Sequence, residues 1–351
     1  MHLKTRFLAM LLAGAGVIFS LPAIAQTVED VLAANSPVTP ESINAAPLVD
    51  LDQIVTASSA ESLSNETSAS KAIAPSASIV RLQILLDRAG ASPGVIDGLD
   101  GGNLRKAISG FRLMLGLPVD GKLDPAVIAA LISPDQAISS HVISPEDHAS
   151  VVGELPEDYG ELAKLDHLGY TSVAEGIAER FHMDVGFLRL LNPGSDFASG
   201  ETIFVADPGS DREGQVAKVE VDKPGGQVRA YAANGFLIAT YPATIGSESN
   251  PSPKGTHMVK TVVENPTYTY NPKLNFQQGN NDKVLTLPPG PNGPVGSIWI
   301  DLSEPTYGIH GTPEPNRIDK TGSHGCVRIT NWDAQELAKM LTEGVPVIFL
   351  E

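Results

Sequence analysis

The sequence predicts a multidomain α+β chain: a small three-helix unit, a small helix–helix–strand (ααβ) unit, and a mainly antiparallel β domain with a short C-terminal helix. Three observations predict it. Helix-period apolar faces fill residues 79–131, with two Asp-Gly turns framing the middle helix. Two short apolar helical runs and one strand follow between residues 172 and 206. From Val216 the texture changes to short apolar segments divided by Lys223-Pro224-Gly225-Gly226 and Ala233-Asn234-Gly235, the turn chemistry of hairpins. A chain of 351 residues is long enough to give two or three such units a core each.

Residues 1–25 read as an export signal. Lys4 and Arg6 precede an apolar stretch from Phe7 to Leu21, and Ala23-Ile24-Ala25 has the small-x-small form of a cleavage site, so the mature chain is expected to begin at Gln26. The stretch is short for a membrane span, and no integral span is expected in the mature chain. Residues 26–76, rich in Ala, Ser, Asn, Thr and Pro, read as a flexible leader. The formal charge of −17 argues against a nucleic-acid partner and against adhesion to anionic lipid.

The three-helix unit spans residues 77–133. Ile79, Leu82, Leu85 and Leu86 share one helical face and Gly90 stops that helix. Asn103 is expected to cap a second helix, with Leu104, Ala107, Ile108, Phe111 and Leu115 as its apolar face. Asp124 caps a third, with Pro125 at its first position and Val127, Ile128 and Leu131 inward. Residues 134–157 are polar, contain proline, and read as a linker. In the unit 158–208, Ser172-Val173-Ala174-Glu175 has the capping-box form and starts a helix carrying Ile177, Ala178 and Phe181. Asp184 caps a shorter one that stops at Asn192-Pro193, and the strand Thr202 to Ala206 closes the unit.

In the β domain, residues 216–351, helical signals return only at Thr330-Asn331-Trp332-Asp333, a capping box leading into Leu337, Ala338 and Leu341. Just before it stands the only cysteine, Cys326, in Ser323-His324-Gly325-Cys326-Val327-Arg328, sixteen residues after His310. An exported chain meets oxidising conditions, yet a lone cysteine has no partner in its own chain, so Cys326 is expected to stay a free thiol. A neighbouring imidazole can take the proton of such a thiol and make it a nucleophile. His324 and Arg328 lie two residues either side of Cys326 and share its face on an extended backbone. A structural zinc site would want four ligands, and no second cysteine completes a set; neither metal nor cofactor is expected. Tyr241, Tyr268, Tyr270, Trp299 and Trp332 are candidates for cleft or core. The Pro, Gly and Asn-rich stretch from Asn271 to Pro294 is a candidate lid.

His310-Gly311-Thr312 followed by Ser323-His324-Gly325-Cys326-Val327-Arg328 resembles the signature of the L,D-transpeptidase (YkuD) catalytic domain. Tyr241 to Gly246, Ser252-Pro253-Lys254-Gly255-Thr256 and Pro294-Val295-Gly296 resemble its upstream elements, so the likeness covers about residues 217–350. Leu82-Gln83, the two Asp-Gly turns and the Phe111 helix resemble a type 1 peptidoglycan-binding domain, with Phe111-Arg112 where Phe-Gln is usual. Residues 177–205 resemble a LysM carbohydrate-binding module, with Tyr170-Thr171-Ser172-Val173 in place of its Gly-Asp-Thr-Leu opening; a structural spacer is the alternative.

These resemblances imply an exported, periplasmic enzyme whose partners are peptidoglycan stem peptides and glycan. Cys326 would be the nucleophile and His310 the base, with the Gly311 carbonyl orienting its ring. His324 would shape the site and support oxyanion or substrate, Gly325 would allow close backbone approach at the oxyanion, and Arg328 and Ser323 would bind substrate. The reaction implied is transfer of an acyl group from the diaminopimelate–D-alanine bond, through a thioester, to an amine, giving 3→3 crosslinks. The same acyl-enzyme could serve an L,D-carboxypeptidase or attach a protein to the wall. A non-catalytic peptidoglycan-binding protein is the alternative of another class, and it would have no need of Cys326 or His310.

Overall fold

The structure is a computed structural model that describes residues 37–49, 51, 74–323 and 325–351. The export signal, most of the leader and His324 lie outside the described residues.

The described part of the leader is folded, which corrects the expectation of a flexible segment throughout residues 26–76. A capping box at Thr39 opens helix α1 (Pro40–Ala45), and Ile43, Ala46, Val49 and Leu51 are buried against the units that follow. The Asn44 amide oxygen accepts from the backbone N–H groups of Ala137 and Ile138, both at 2.8 Å. Four apolar residues spread over nine positions carry no period of their own, so only their docking partners reveal them.

Helices α2 (Ala77–Arg88), α3 (Gly102–Met114) and α4 (Pro125–Leu131) form the three-helix unit. Two buried polar side chains hold its Asp-Gly turns. Gln83 accepts from the N–H groups of Asp97 and Gly98 at 3.1 and 2.8 Å and donates to the Asp97 carboxylate at 2.8 Å. Arg112 donates to the carbonyls of Pro118 and Lys122 and pairs with Asp120 and Asp124 at 2.9 and 2.6 Å. Arginine where glutamine is usual thus does for the second turn what Gln83 does for the first. Gly101, not Asn103, is the N-cap of α3; the Asn103 amide instead donates to the Ile318 carbonyl in the β domain.

The segment 134–157 is not a plain linker. It contains β1 (Ile138–Val142) and α5 (Pro145–Ala149), and α6 (Tyr159–Leu162) follows directly. Beyond them come α7 (Val173–Arg180), α8 (Val185–Leu191) and β2 (Thr202–Ala206), with β1 antiparallel to β2 from Ile138↔Ala206 to Val142↔Thr202. The second unit thus adds β1, α5 and α6 ahead of the expected helix–helix–strand run α7, α8 and β2. Ile138-Ser139-Ser140-His141-Val142 is too polar to announce a strand, and pairing with the apolar β2 makes it one.

The β domain comprises β3 (Lys218–Asp222), β4 (Gln227–Tyr231), β5 (Leu237–Pro242), β6 (Thr244–Ile245), β7 (Gly255–Glu264), β8 (Tyr268–Tyr270), β9 (Leu285–Leu287), β10 (Ile298–Leu302), β11 (Gly308–His310), β12 (Val327–Arg328), α9 (Asn331–Met340) and β13 (Pro346–Leu350). Nine strands form one sheet in the order β5-β4-β3-β13-β7-β10-β11-β12-β6, antiparallel except at β3/β13 and β11/β12. Its core joins Val219, Val228, Ile300, Ile309, Val327 and Val347 to Ala334 and Leu337 of α9. The expected mainly antiparallel β domain with its C-terminal helix is what forms. Strands β8 and β9 make a separate hairpin, with β9 inside the candidate lid stretch and β8 directly before it.

The units pack on one another. Ser92 N–H donates to the Thr240 carbonyl and Thr240 N–H to that of Gly90, at 2.9 and 2.8 Å. Gly110 of α3 lies so close to the Thr240 side chain that a Cβ would collide with it. His182 bridges all three units: it bonds Asp87 of α2 at 2.6 Å and stacks on Trp332 of α9, with ring centroids 5.1 Å apart.

Candidate active site

Strand register assembles the site. Ile309 pairs with Val327 and His310 with Arg328 across β11/β12, while Trp299 lies opposite His310 and Thr244 opposite Arg328. Because side chains alternate along a strand, Ile300, Ile309 and Val327 turn into the core and Trp299, His310 and Arg328 share the other face. Cys326 directly precedes β12, and Arg328 lies near enough to act on the charge of both Cys326 and His310.

His310 is 6% exposed, and the Trp299 ring stacks on it at 5.7 Å and 24°. Its Nδ1 donates to the Gly311 carbonyl at 2.7 Å, which leaves Nε2 with the lone pair a base needs. Burial drives the imidazole pKa down to about 4, with the cationic Arg328 adding to the effect and the Gly311 contact opposing it.

Asn331, at the start of α9 and fully buried, fixes the backbone around this histidine. Its Oδ1 accepts from Ser297 N–H at 3.0 Å and Thr312 N–H at 3.1 Å, and its Nδ2 donates to Glu179 Oε1 at 2.9 Å and to the Pro291 carbonyl at 3.2 Å. A Cβ on Gly296 or Gly311 would collide with Asn331 Oδ1, so glycine at both positions is a packing requirement.

Cys326 is half-buried and its Sγ donates to the Thr306 carbonyl at 3.7 Å. Thr306 is a β-branched residue at φ 74°, a conformation costing about 1–3 kcal/mol, stored beside the thiol. Gly325 at φ 104° forms the turn into the cysteine, and a Cβ there would meet the Tyr307 ring at 2.8 Å. Ser323 is revised from substrate contact to brace: it is 3% exposed and its hydroxyl donates to the Cys326 carbonyl at 2.6 Å. Arg328 is half-buried, with Glu314, Cys326 and Tyr159 near enough to act on its charge. Burial lowers its pKa from the usual value, but a guanidinium stays charged.

Burial also pushes the Cys326 thiol up, against smaller opposing effects of the Gly308 N–H and Arg328. With the imidazole pulled down and the thiol pushed up, the resting pair is neutral thiol and neutral imidazole. Alkylation of this single cysteine by iodoacetamide should therefore rise with pH to an inflection above that of an ordinary thiol. A rate plateau between pH 5 and 7 would instead reveal a preformed thiolate–imidazolium pair and overturn this picture.

Two tyrosines complete the surroundings. Burial pushes the Tyr268 hydroxyl up to about 12, with Cys326 near enough to contribute, and Tyr159 of α6 feels the charge of Arg328. Their rings meet edge to face at 6.4 Å. Tyr241 and Tyr270 are core residues and Trp332 stacks on His182, so of the aromatic candidates Tyr268 and Trp299 border the site. Glu179, Asn331 and Tyr159 were not singled out as site residues from the sequence. Asn331 stood inside the recognised capping box, but nothing local shows a side chain turned away from solvent.

A free thiol, an imidazole with its Nδ1 committed to a carbonyl and a guanidinium thus gather around the neighbouring strands β11 and β12. Residues 217–349 match the family described as "L,D-transpeptidase catalytic domain", and residues 75–131 match "Putative peptidoglycan binding domain". The "Putative L,D-transpeptidase YkuD" of Bacillus licheniformis is 30% identical over 177 residues, 49% of this chain and 90% of that relative. The "Probable L,D-transpeptidase YbiS" of Escherichia coli is 25% identical over 218 residues, 58% of this chain and 70% of the relative. The catalytic domain of an Enterococcus faecium L,D-transpeptidase, solved by NMR, is 21% identical, with 38% of this chain and 96% of that one covered at a TM-score of 0.28. The chain belongs to the L,D-transpeptidase family.

Proposed function

We propose that this protein is an exported peptidoglycan L,D-transpeptidase working through a Cys326 thioester. The observation that carries the reading is the pairing of His310 with Arg328 across β11/β12, with Cys326 directly before β12 and His310 Nδ1 committed to the Gly311 carbonyl. As Cys326 Sγ attacks the carbonyl carbon of the diaminopimelate–D-alanine bond, His310 Nε2 takes the thiol proton, and a C–S bond forms. Backbone N–H groups around Gly325 and Cys326 receive the oxyanion. The C–N bond then breaks, the imidazolium gives its proton to the departing D-alanine amine, and a thioester remains. An acceptor amine attacks it, His310 takes the amine proton, and the sulfur leaves to regain a proton from the imidazolium. Burial keeps the His310 imidazole neutral at pH 7, which leaves Nε2 free to accept the thiol proton.

Arg328 would hold a stem-peptide carboxylate, and His324, two residues before Cys326 in the sequence, would shape the site. The peptidoglycan-binding match over residues 75–131 supports targeting to the wall, and helices α7 and α8 followed by a β2 that pairs with β1 support the LysM-like reading of the second unit. Incubating purified protein with tetrapeptide muropeptides and reading products by mass spectrometry tests the proposal. New 3→3 crosslinked dimers are expected. Tripeptides without crosslinks would replace transpeptidation by L,D-carboxypeptidase action, and unchanged muropeptides would sink the acyl-transfer reading.

A further inference from the structure

The second unit does more than adjoin the catalytic domain. Glu179, near the end of α7, is half-buried, and its Oε1 accepts from both Asn331 Nδ2 at 2.9 Å and the Tyr170 hydroxyl at 3.2 Å. Asn331 is the residue whose Oδ1 holds the N–H groups of Ser297 and Thr312, on the two turns that meet at Gly296 and Gly311. The amide has two chemically different ends, and flipping it would set NH₂ against two N–H donors. Of the two acceptors that face Nδ2, the Pro291 carbonyl at 3.2 Å and Glu179 Oε1 at 2.9 Å, Glu179 is the nearer and the one contributed by the second unit. From the Gly311 carbonyl the next contact is His310 Nδ1 itself.

We propose that Glu179 is a positioning residue for catalysis: by accepting from Asn331 across the interface it locks the Gly311-Thr312 turn, and through it the tautomer and place of the His310 ring. The inference rests on His310 being the base. It makes the LysM-like unit an obligatory part of the catalytic machinery whether or not it binds glycan. Neighbouring groups act on Glu179 itself. Burial lifts its pKa to about 7, with Glu175 adding to the rise and Asn331, Tyr170 and His182 opposing it. Either protonation state keeps a carbonyl-type oxygen for Asn331, so the clamp needs an acceptor and not a charge.

The test compares Glu179→Gln and Glu179→Leu in the full chain, with thermal unfolding to show that both fold. Glutamine keeps the acceptor, so kcat should stay within about threefold of wild type, whereas leucine should lower kcat by about 10- to 100-fold at nearly unchanged KM. ¹⁵N-histidine NMR supplies a readout independent of turnover. His310 should show a single Nδ1–H tautomer in wild type and Glu179→Gln, and a mixture in Glu179→Leu. Wild-type kcat and His310 signals in folded Glu179→Leu would overturn the proposal, as would equal loss in both variants. If wild-type protein formed no crosslinks, the reaction assignment would fail, while the NMR comparison would still decide whether Glu179 orders the ring.

Discussion

Cys326→Ser lowers product formation by about 10³-fold or more without unfolding the chain. Serine is nearly isosteric, and the cysteine backbone keeps its contacts, since the Ser323 hydroxyl and Gly246 N–H both address the Cys326 carbonyl rather than its side chain. What changes is the acidity of the nucleophile. A hydroxyl gives up its proton far less readily than a thiol, and burial makes the His310 imidazole less basic than an ordinary one. Muropeptide mass spectrometry reads the loss, and circular dichroism verifies the fold. Crosslinking by the serine variant within tenfold of wild type would remove Cys326 from the chemistry.

The second large effect is expected at a residue with no reactive group. Gly311→Ala places a methyl against Asn331 Oδ1, with the Asn331 Cα only 3.2 Å away. Asn331 is fully buried and cannot swing into solvent, so it must withdraw from the N–H groups of Ser297 and Thr312. Each buried donor left without a partner costs about 1–3 kcal/mol, so the melting temperature should fall. The turn also carries the carbonyl that His310 Nδ1 addresses, and a displacement near 1 Å at that point is expected to cost about 100-fold in kcat. Gly102→Ala is the matched control, because nothing lies within 4 Å of a Cβ there and its kcat should be unchanged. Wild-type turnover in Gly311→Ala would show that the turn does not position the histidine.

Much of the chemistry could be read in the sequence because it is local. Cys326 and Arg328 are two residues apart, so their nearness follows from the covalent chain alone. The Asp-Gly turns around α3 announced themselves in the same way, and so did the helix cap at Asp124, whose carboxylate accepts from Ala126 and Val127 N–H. Other features required the folded chain. Polar Ile138–Val142 became a strand only through β2, and Ile43 became core only through the surfaces it meets. Ser323 looked like a substrate contact beside the nucleophile, yet its hydroxyl turns back to brace the chain.

Residue order and type settled the reactive groups: one thiol, a histidine followed by glycine, and an arginine at strand spacing from the thiol. These depend on covalent neighbours and on alternation, which short-range geometry transmits. Their working state was set by contacts remote in sequence. Glu179 reaches Asn331 across 152 positions, and burial moves the thiol and imidazole pKa values apart. Desolvation and hydrogen-bond partnership are properties of the space around a group, and that space exists only once the helical units and the sheet have packed together.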